Sequence, residues 1–292
     1  MSMHLNHTHQ EHDHDHDKGL LFDLETLNRR SLLGLLVKAG MTAGLIGCGS
    51  QSVGGLNSEE SSQSQGGSSN GTRTDTSASE VPSTACAAIP NETNGPYPAD
   101  GSNGVNILTT SGIVRSDIRS SFAGLSGTAT GVPLTIQLTL TNVSDSCSAL
   151  AGYAIYLWHC DKDGYYSMYD LPNQNYLRGI QETDSTGQVS FTSIFPACYA
   201  GRWPHIHFEV YRSLASATTA NNRLRTSQIA MTTNACNQVY ATSAYASSLS
   251  RFNQVSLNTD NVFSDGYSLQ IPELTGDPNS GFVLSLDIGI VP

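Results

Sequence analysis

The chain has 292 residues and a formal net charge of −11, enough for one large domain or two small ones. From residue 49 onward 10 Lys and Arg stand against 19 Asp and Glu, a balance of −9, and Lys162 is the only lysine in that span. No basic patch can form on such a composition. That excludes nucleic acid and anionic lipid headgroups as partners and leaves a small neutral or weakly acidic ligand.

Residues 4–16 hold six of the nine histidines, alternating with acidic and polar residues (His12-Asp13-His14-Asp15-His16-Asp17). Such a stretch buries no core and is expected to be disordered; its functional reading is weak metal capture. Asn28-Arg29-Arg30-Ser31-Leu32-Leu33 then opens an apolar run over 32–46 that stops at Leu45-Ile46-Gly47-Cys48. A twin arginine before a short apolar run reads as an export signal, and the run is too short for a transmembrane helix. Leu-Ile-Gly-Cys resembles a bacterial lipobox, in which Cys48 is lipidated and becomes the mature N-terminus. Residues 1–48 are therefore expected to be a leader plus twin-arginine, lipoprotein-type signal, and cleavage would discard the histidines. Residues 49–84, with 6 Gly and 11 Ser, read as a flexible linker. The only expected membrane contact is the lipid, and the location is the cell envelope, the periplasm or the outside.

The folded domain is expected over 85–292, and it reads as mostly strand. Leu134, Ile136, Leu138 and Leu140 alternate with polar residues, giving a strand with one wet face. Tyr153 to Trp158 is nearly continuous in apolar residues, as in a strand covered on both sides. Thr183-Asp184-Ser185-Thr186-Gly187 is a turn, and Val189, Phe191 and Ser193 continue as a strand. His205–Tyr211, Ser227–Thr232 and Phe282–Ile290 also look extended, and one short helix is expected over 237–249. Many short strands with Gly, Asn and Pro turns predict an all-β fold, an antiparallel β-sandwich with long loops and little helix. Five cysteines follow Cys48 (Cys86, Cys147, Cys160, Cys198 and Cys236) without a C-x-x-C pair. In an exported protein they imply one or two disulfides and at least one free thiol. Cys147 and Cys160 flank a strand, which disfavours their pairing.

The chemistry concentrates in Arg202-Trp203-Pro204-His205-Ile206-His207, with Tyr199 just before it and Gly164-Tyr165-Tyr166-Ser167 upstream. Histidines at i and i+2 on a strand share a face and can address one metal ion. Two neutral imidazoles and two phenolate oxygens favour a hard, highly charged cation such as Fe(III), whereas zinc usually takes His, Cys and carboxylate.

Five ordered segments resemble the intradiol ring-cleavage dioxygenases, non-haem iron enzymes that open catechols between their two hydroxyls. They are Glu92-Thr93-Asn94-Gly95-Pro96-Tyr97, Trp158-His159-Cys160-Asp161, Gly164-Tyr165-Tyr166-Ser167, Tyr176-Leu177-Arg178-Gly179-Ile180-Gln181-Glu182-Thr183-Asp184, and Ile194 through His207. Carried over by position, the resemblance implies Tyr166, Tyr199, His205 and His207 as metal ligands, with Tyr166 preferred to Tyr165. It implies Arg202 as the residue that stabilises negative charge on the ring, Tyr199 as a base released on substrate binding, and Gln228 near the substrate. It further implies Fe(III) as cofactor, a catechol and O2 as substrates, and a muconate-type diacid as product. His159 lies in the motif without a ligand role and reads as structural. Ala197-Cys198 stands where the family usually has Gly-Trp, which bears on the pocket wall.

Two rival readings are a non-catalytic, envelope-anchored β-sandwich that binds a ligand or partner, and a zinc hydrolase built on His205 and His207. The hydrolase lacks a His-Glu-x-x-His pattern.

Overall fold

The computed structural model describes residues 86–292; the predicted leader, linker and Cys48 lie outside the described residues. Strand β1 (Pro133–Asn142) buries Leu134, Ile136, Leu138 and Leu140 and turns its polar residues outward. Period-two alternation of this kind commits one face to a core. After the short β2 (Ser148–Ala149), the chain enters β3 (Ala154–Trp158) and β4 (Arg178–Glu182). It continues through β5 (Gln188–Ile194), β6 (His205–Tyr211) and β7 (Arg223–Ala230). Two short helices follow, α1 (Thr233–Tyr240) and α2 (Ala246–Phe252), then β8 (Glu273–Asp277) and β9 (Gly281–Ile290).

The strands form two sheets. One runs β2-β1-β9-β8 with β5 also paired to β1, and the other runs β4-β3-β6-β7. Apolar side chains of both sheets, including Leu134, Ile136 and Leu284 from the first and Ile155, Leu157, Ile206 and Phe208 from the second, meet in one core. The all-β sandwich expected from the sequence is therefore present.

It is not purely antiparallel. β1 and β9 pair in parallel, from Leu134 opposite Phe282 to Asn142 opposite Ile290. Parallel neighbours need a long crossover, and the whole second sheet and both helices lie between these strands. The helical expectation over 237–249 is corrected as well. The Thr232 side chain accepts from the Ala235 backbone N–H and starts α1 earlier, while a 3-10 turn at Ser243–Tyr245 separates it from α2.

The two central strands of the second sheet, β3 and β6, are buried on both faces, which explains the unbroken apolar run in β3. Ile206, Phe208 and Val210 of β6 point into the sandwich core. The alternate residues His205, His207, Glu209 and Tyr211 face the opposite side. There Tyr156, Trp158, Tyr166 and Ala197 build a smaller cluster with Ile107, Leu108 and Ile113 from the covering loops. Alternation thus delivers both histidines to a pocket between a sheet and its loop cover.

Cys86 and Cys147 form a disulfide, and Cys160, Cys198 and Cys236 are buried and lie outside any disulfide among the described residues. One bridge with thiols left over, and no Cys147–Cys160 pair, agrees with the expectation.

Candidate metal centre

His205 and His207 lie at the start of β6, both buried. The His205 Nδ1 is 2.5 Å from the Trp203 carbonyl oxygen. A carbonyl only accepts, so Nδ1 carries the proton and Nε2 presents its lone pair to the pocket. Two groups crowd that lone pair: the Tyr199 hydroxyl at 3.1 Å and the His207 Nε2 at 3.0 Å. One nitrogen lone pair cannot accept two full hydrogen bonds, whereas a cation would be served by all of these atoms at once. His207 is stacked on Trp158, with ring centroids 4.8 Å apart and planes 5° from parallel.

Tyr166 comes from the loop between β3 and β4. Its ring meets that of Tyr199 edge-on at 5.9 Å and that of His207 at 6.3 Å. The hydroxyl is buried and lacks a partner in full hydrogen-bond geometry among the described residues, with the Tyr199 phenol beside it. A buried hydroxyl so poorly satisfied is costly in a finished protein and marks a place for a partner. Among the described residues no three His, Cys, Asp or Glu side chains form a metal-binding group, so a metal here depends on the phenolic oxygens. The four residues expected as ligands are thus brought together, and their donor set fits a trivalent cation.

The electrostatics point the same way. Burial holds the Tyr166 phenol well above its usual range, reinforced by neighbouring Tyr199, so ionisation requires a nearby cation. Burial pushes His205 down to about 3, with help from the Arg202 charge, and His207 well below its usual value. Both imidazoles are neutral at physiological pH, the form that binds metal.

Local contacts hold each piece. The Asp170 carboxylate accepts from the Tyr166 backbone N–H at 2.7 Å. The buried Arg178 guanidinium donates to the Ser167 carbonyl (2.9 Å), the Ser167 hydroxyl (3.1 Å), the Pro98 carbonyl (3.1 Å) and the Tyr156 hydroxyl (3.1 Å). It therefore ties the Tyr166 loop to the segment carrying Tyr97, whose ring lies 4.8 Å from that of Tyr166. His159 uses both ring nitrogens, to the Cys160 carbonyl and the Ser193 hydroxyl, each at 2.7 Å. It is structural, as the sequence reading has it.

Arg202 is buried, and its Nη2 donates to the Gln228 side-chain oxygen at 2.7 Å. Gln228 sits opposite His207 in the β6–β7 register, and its own amide donates to the Thr93 carbonyl at 2.9 Å. Sequence reasoning missed Asp260. This fully buried carboxylate accepts from the Arg202 Nε at 3.0 Å and from the Trp203 backbone N–H at 2.6 Å. Asp260 lies in the long segment after α2, and no motif around it signals the pairing. Ala197 and Cys198 are both buried, but they part company: Ala197 joins the cluster around Tyr166 and Cys198 joins the main core. Burial pushes the Cys198 thiol up to about 12, so it is not a thiolate competitor for metal.

A family model described as Dioxygenase matches residues 116–220, a span that contains Tyr166, Tyr199, Arg202, His205 and His207 but neither Gln228 nor Asp260. Among solved structures, an intradiol ring-cleavage dioxygenase from Tetranychus urticae is similar. It shares 25% identity over 71% of this chain and 96% of that one, with a TM-score of 0.55. The dioxygenase domain of a carbohydrate-binding fusion protein from Streptomyces sp. SirexAA-E matches at 20% identity over 70% and 98%, with a TM-score of 0.45. A catechol 1,2-dioxygenase from Pseudomonas arvilla C-1 matches at 21% identity over 68% and 61%, with a TM-score of 0.40.

Proposed function

We propose that this chain, which is similar to the intradiol ring-cleavage dioxygenases, is itself one and uses ferric iron and O2 to open a catechol-type ring between its hydroxyls, giving a muconate-type diacid. The observation that carries this reading is the convergence of the Tyr199 hydroxyl and the His207 Nε2 on the single lone pair of His205 Nε2, beside the buried, poorly satisfied hydroxyl of Tyr166. Tyr166, Tyr199, His205 and His207 would hold the metal. When bound, ferric iron would supply a Lewis acid that draws electron density from a bound catechol, making a ring carbon the target of dioxygen.

The remaining work falls to this chain's own residues. The neutral His205 Nε2 presents its lone pair without losing a proton, and a neutral His207 would do the same with its proton on Nδ1. The Tyr199 Oη, as a phenolate, would be the base that takes a catechol hydroxyl proton. Arg202 keeps its charge at all working pH values and stabilises the negative charge that develops on the ring. The loop cover with Tyr97 and Tyr166 excludes bulk water from the reacting atoms, which strengthens these electrostatic contributions.

Colour tests the assignment. A tyrosinate-to-ferric charge-transfer band is expected in the iron-loaded protein, weakened or shifted in Tyr166→Phe and in Tyr199→Phe. A colourless protein that retains zinc and consumes no oxygen with catechols contradicts it.

Export belongs to the same reading. The twin-arginine signal and Cys48 support it, as does the Cys86–Cys147 disulfide, since disulfides persist in oxidising compartments. A twin-arginine route would let the domain fold and load iron before export. Cys48→Ala is expected to release the protein from the membrane fraction, and unchanged fractionation refutes lipid anchoring.

A further inference from the structure

We infer that Asp260 is the positioning residue that fixes the Arg202 guanidinium for ring cleavage, a role that rests on the intradiol reading above. Both side chains are almost wholly buried, at 1% exposure for Arg202 and 0% for Asp260. A guanidinium placed there alone would forfeit its hydration, and a directly bonded carboxylate offsets that loss most effectively. The contact also has direction. Asp260 Oδ2 accepts from the Arg202 Nε at 3.0 Å and Oδ1 from its Nη2 at 3.5 Å, while Gln228 Oε1 holds the same Nη2 at 2.7 Å. Acceptors on two adjacent edges of a planar group leave it one orientation.

Asp260 is itself held rigidly. Its Oδ1 accepts from the backbone N–H groups of Val262 (2.8 Å) and Phe263 (3.2 Å), so the carboxylate closes its own turn. Its Oδ2 also accepts from the Trp203 N–H at 2.6 Å, and the Trp203 carbonyl in turn accepts from His205 Nδ1. One carboxylate therefore sets the side chain of Arg202 and the backbone step that orients His205. The Phe263 ring, from the same turn, lies 6.4 Å from the His205 ring. Asp260 lies outside the span matched by the family model, so the segment after α2 supplies a part of the site that the matched core does not contain.

The test is a double-mutant cycle on the iron-loaded full chain, with Asp260→Asn, Arg202→Gln and the pair together. Each variant is read for iron content, charge-transfer band, kcat and KM on a catechol. In Asp260→Asn the iron and the band are expected to remain, and kcat to fall roughly 10- to 100-fold with a smaller change in KM. The asparagine amide oxygen can still accept from the Trp203 N–H, so the loss in Asp260→Asn runs through Arg202, and the double variant is expected to be no worse than Arg202→Gln alone. A purely structural carboxylate would instead give losses that multiply, or iron loss in step with activity, and either result overturns the role. So does an Asp260→Asn enzyme within about twofold of the parent while Arg202→Gln is impaired. Should Asp260→Asn fail to fold, the unpaired Arg202 charge is the expected cause. Arg202→Gln/Asp260→Asn must then fold, and a double variant that stays unfolded overturns the pairing. A parent enzyme that opens no catechol ring is a different result, which removes the intradiol reading itself and this role with it.

Discussion

His205 and His207 can address one point because strand geometry sends alternate side chains to the same face. They do so in a dry pocket because that face lies under loops rather than under water. Their contacts explain why imidazole and phenol were legible in sequence: the His-x-His spacing is local, and Tyr199 lies only a few residues away. Arg178 was less legible. The resemblance gives it no role, and its partner Pro98 lies 80 residues away in the chain. A lysine cannot reproduce four donor contacts on a planar fork. Arg178→Lys is therefore expected to cost about 2–4 kcal/mol of stability and to lower iron retention, as the Tyr166 loop and the Tyr97 segment come loose. A thermal melt and an iron assay read both effects, and a variant with parental values for both contradicts the role given to Arg178. Asp260 was not legible at all, since an aspartate within a loop carries no periodic signal and its partner lies 58 residues away.

At the scale of elements, the alternating strands β1, β5 and β9 could be read from sequence because each has one polar face. The parallel pairing of β1 with β9 could not, because periodicity shows which face is buried and not which neighbour is chosen. The turn before β5 shows the opposite case. Asp184 Oδ1 accepts from the Thr186 and Gln188 backbone N–H groups, and Gly187 takes a left-handed φ of +79°. A Cβ at Gly187 would also lie 2.5 Å from the Leu140 carbonyl oxygen. Gly187→Ala is thus expected to destabilise the domain by about 1–3 kcal/mol, measurable by denaturant titration with an unchanged charge-transfer band. The disulfide acts on a longer span. Cys86 and Cys147 are 61 residues apart, and closing a loop of that size stabilises by about 4 kcal/mol in the chain-entropy account. Cys86→Ser should lose an amount of that order. A loss below about 1 kcal/mol would show that the segment from Cys86 is already held by its other contacts, such as the bridge from Ala88 to Gly289.

For the whole molecule, buried titratable groups set the pH dependence of the metal-free domain. Burial lowers His159 to about 4 and His205 to about 3 from the usual 6.5, and lowers His207 well below it. Below pH 6.5 the unfolded chain therefore binds protons that the folded chain refuses, and stability falls as the medium is acidified. Glu209 behaves in the opposite sense: burial, with the neighbouring Asp100 charge, raises it to about 8 from 4.5. Between those values the folded chain holds a proton that the unfolded chain has released, so stability falls as pH rises. With three histidines against one glutamate, stability should climb to a maximum near pH 6.5 and then decline until about pH 8. Glu209→Gln should flatten the alkaline limb and leave the acid limb in place. An alkaline limb unchanged in that variant would contradict the assignment.

The central claim concerns the reaction, and isotope labelling addresses it most directly. The iron-loaded protein is incubated with a catechol under ¹⁸O₂ and the product is analysed by mass spectrometry. The account predicts a ring opened between the two hydroxyls, as a muconate-type diacid carrying both labelled oxygen atoms. A product opened outside the hydroxyl pair, a quinone without added label, or no product from iron-replete protein would contradict it.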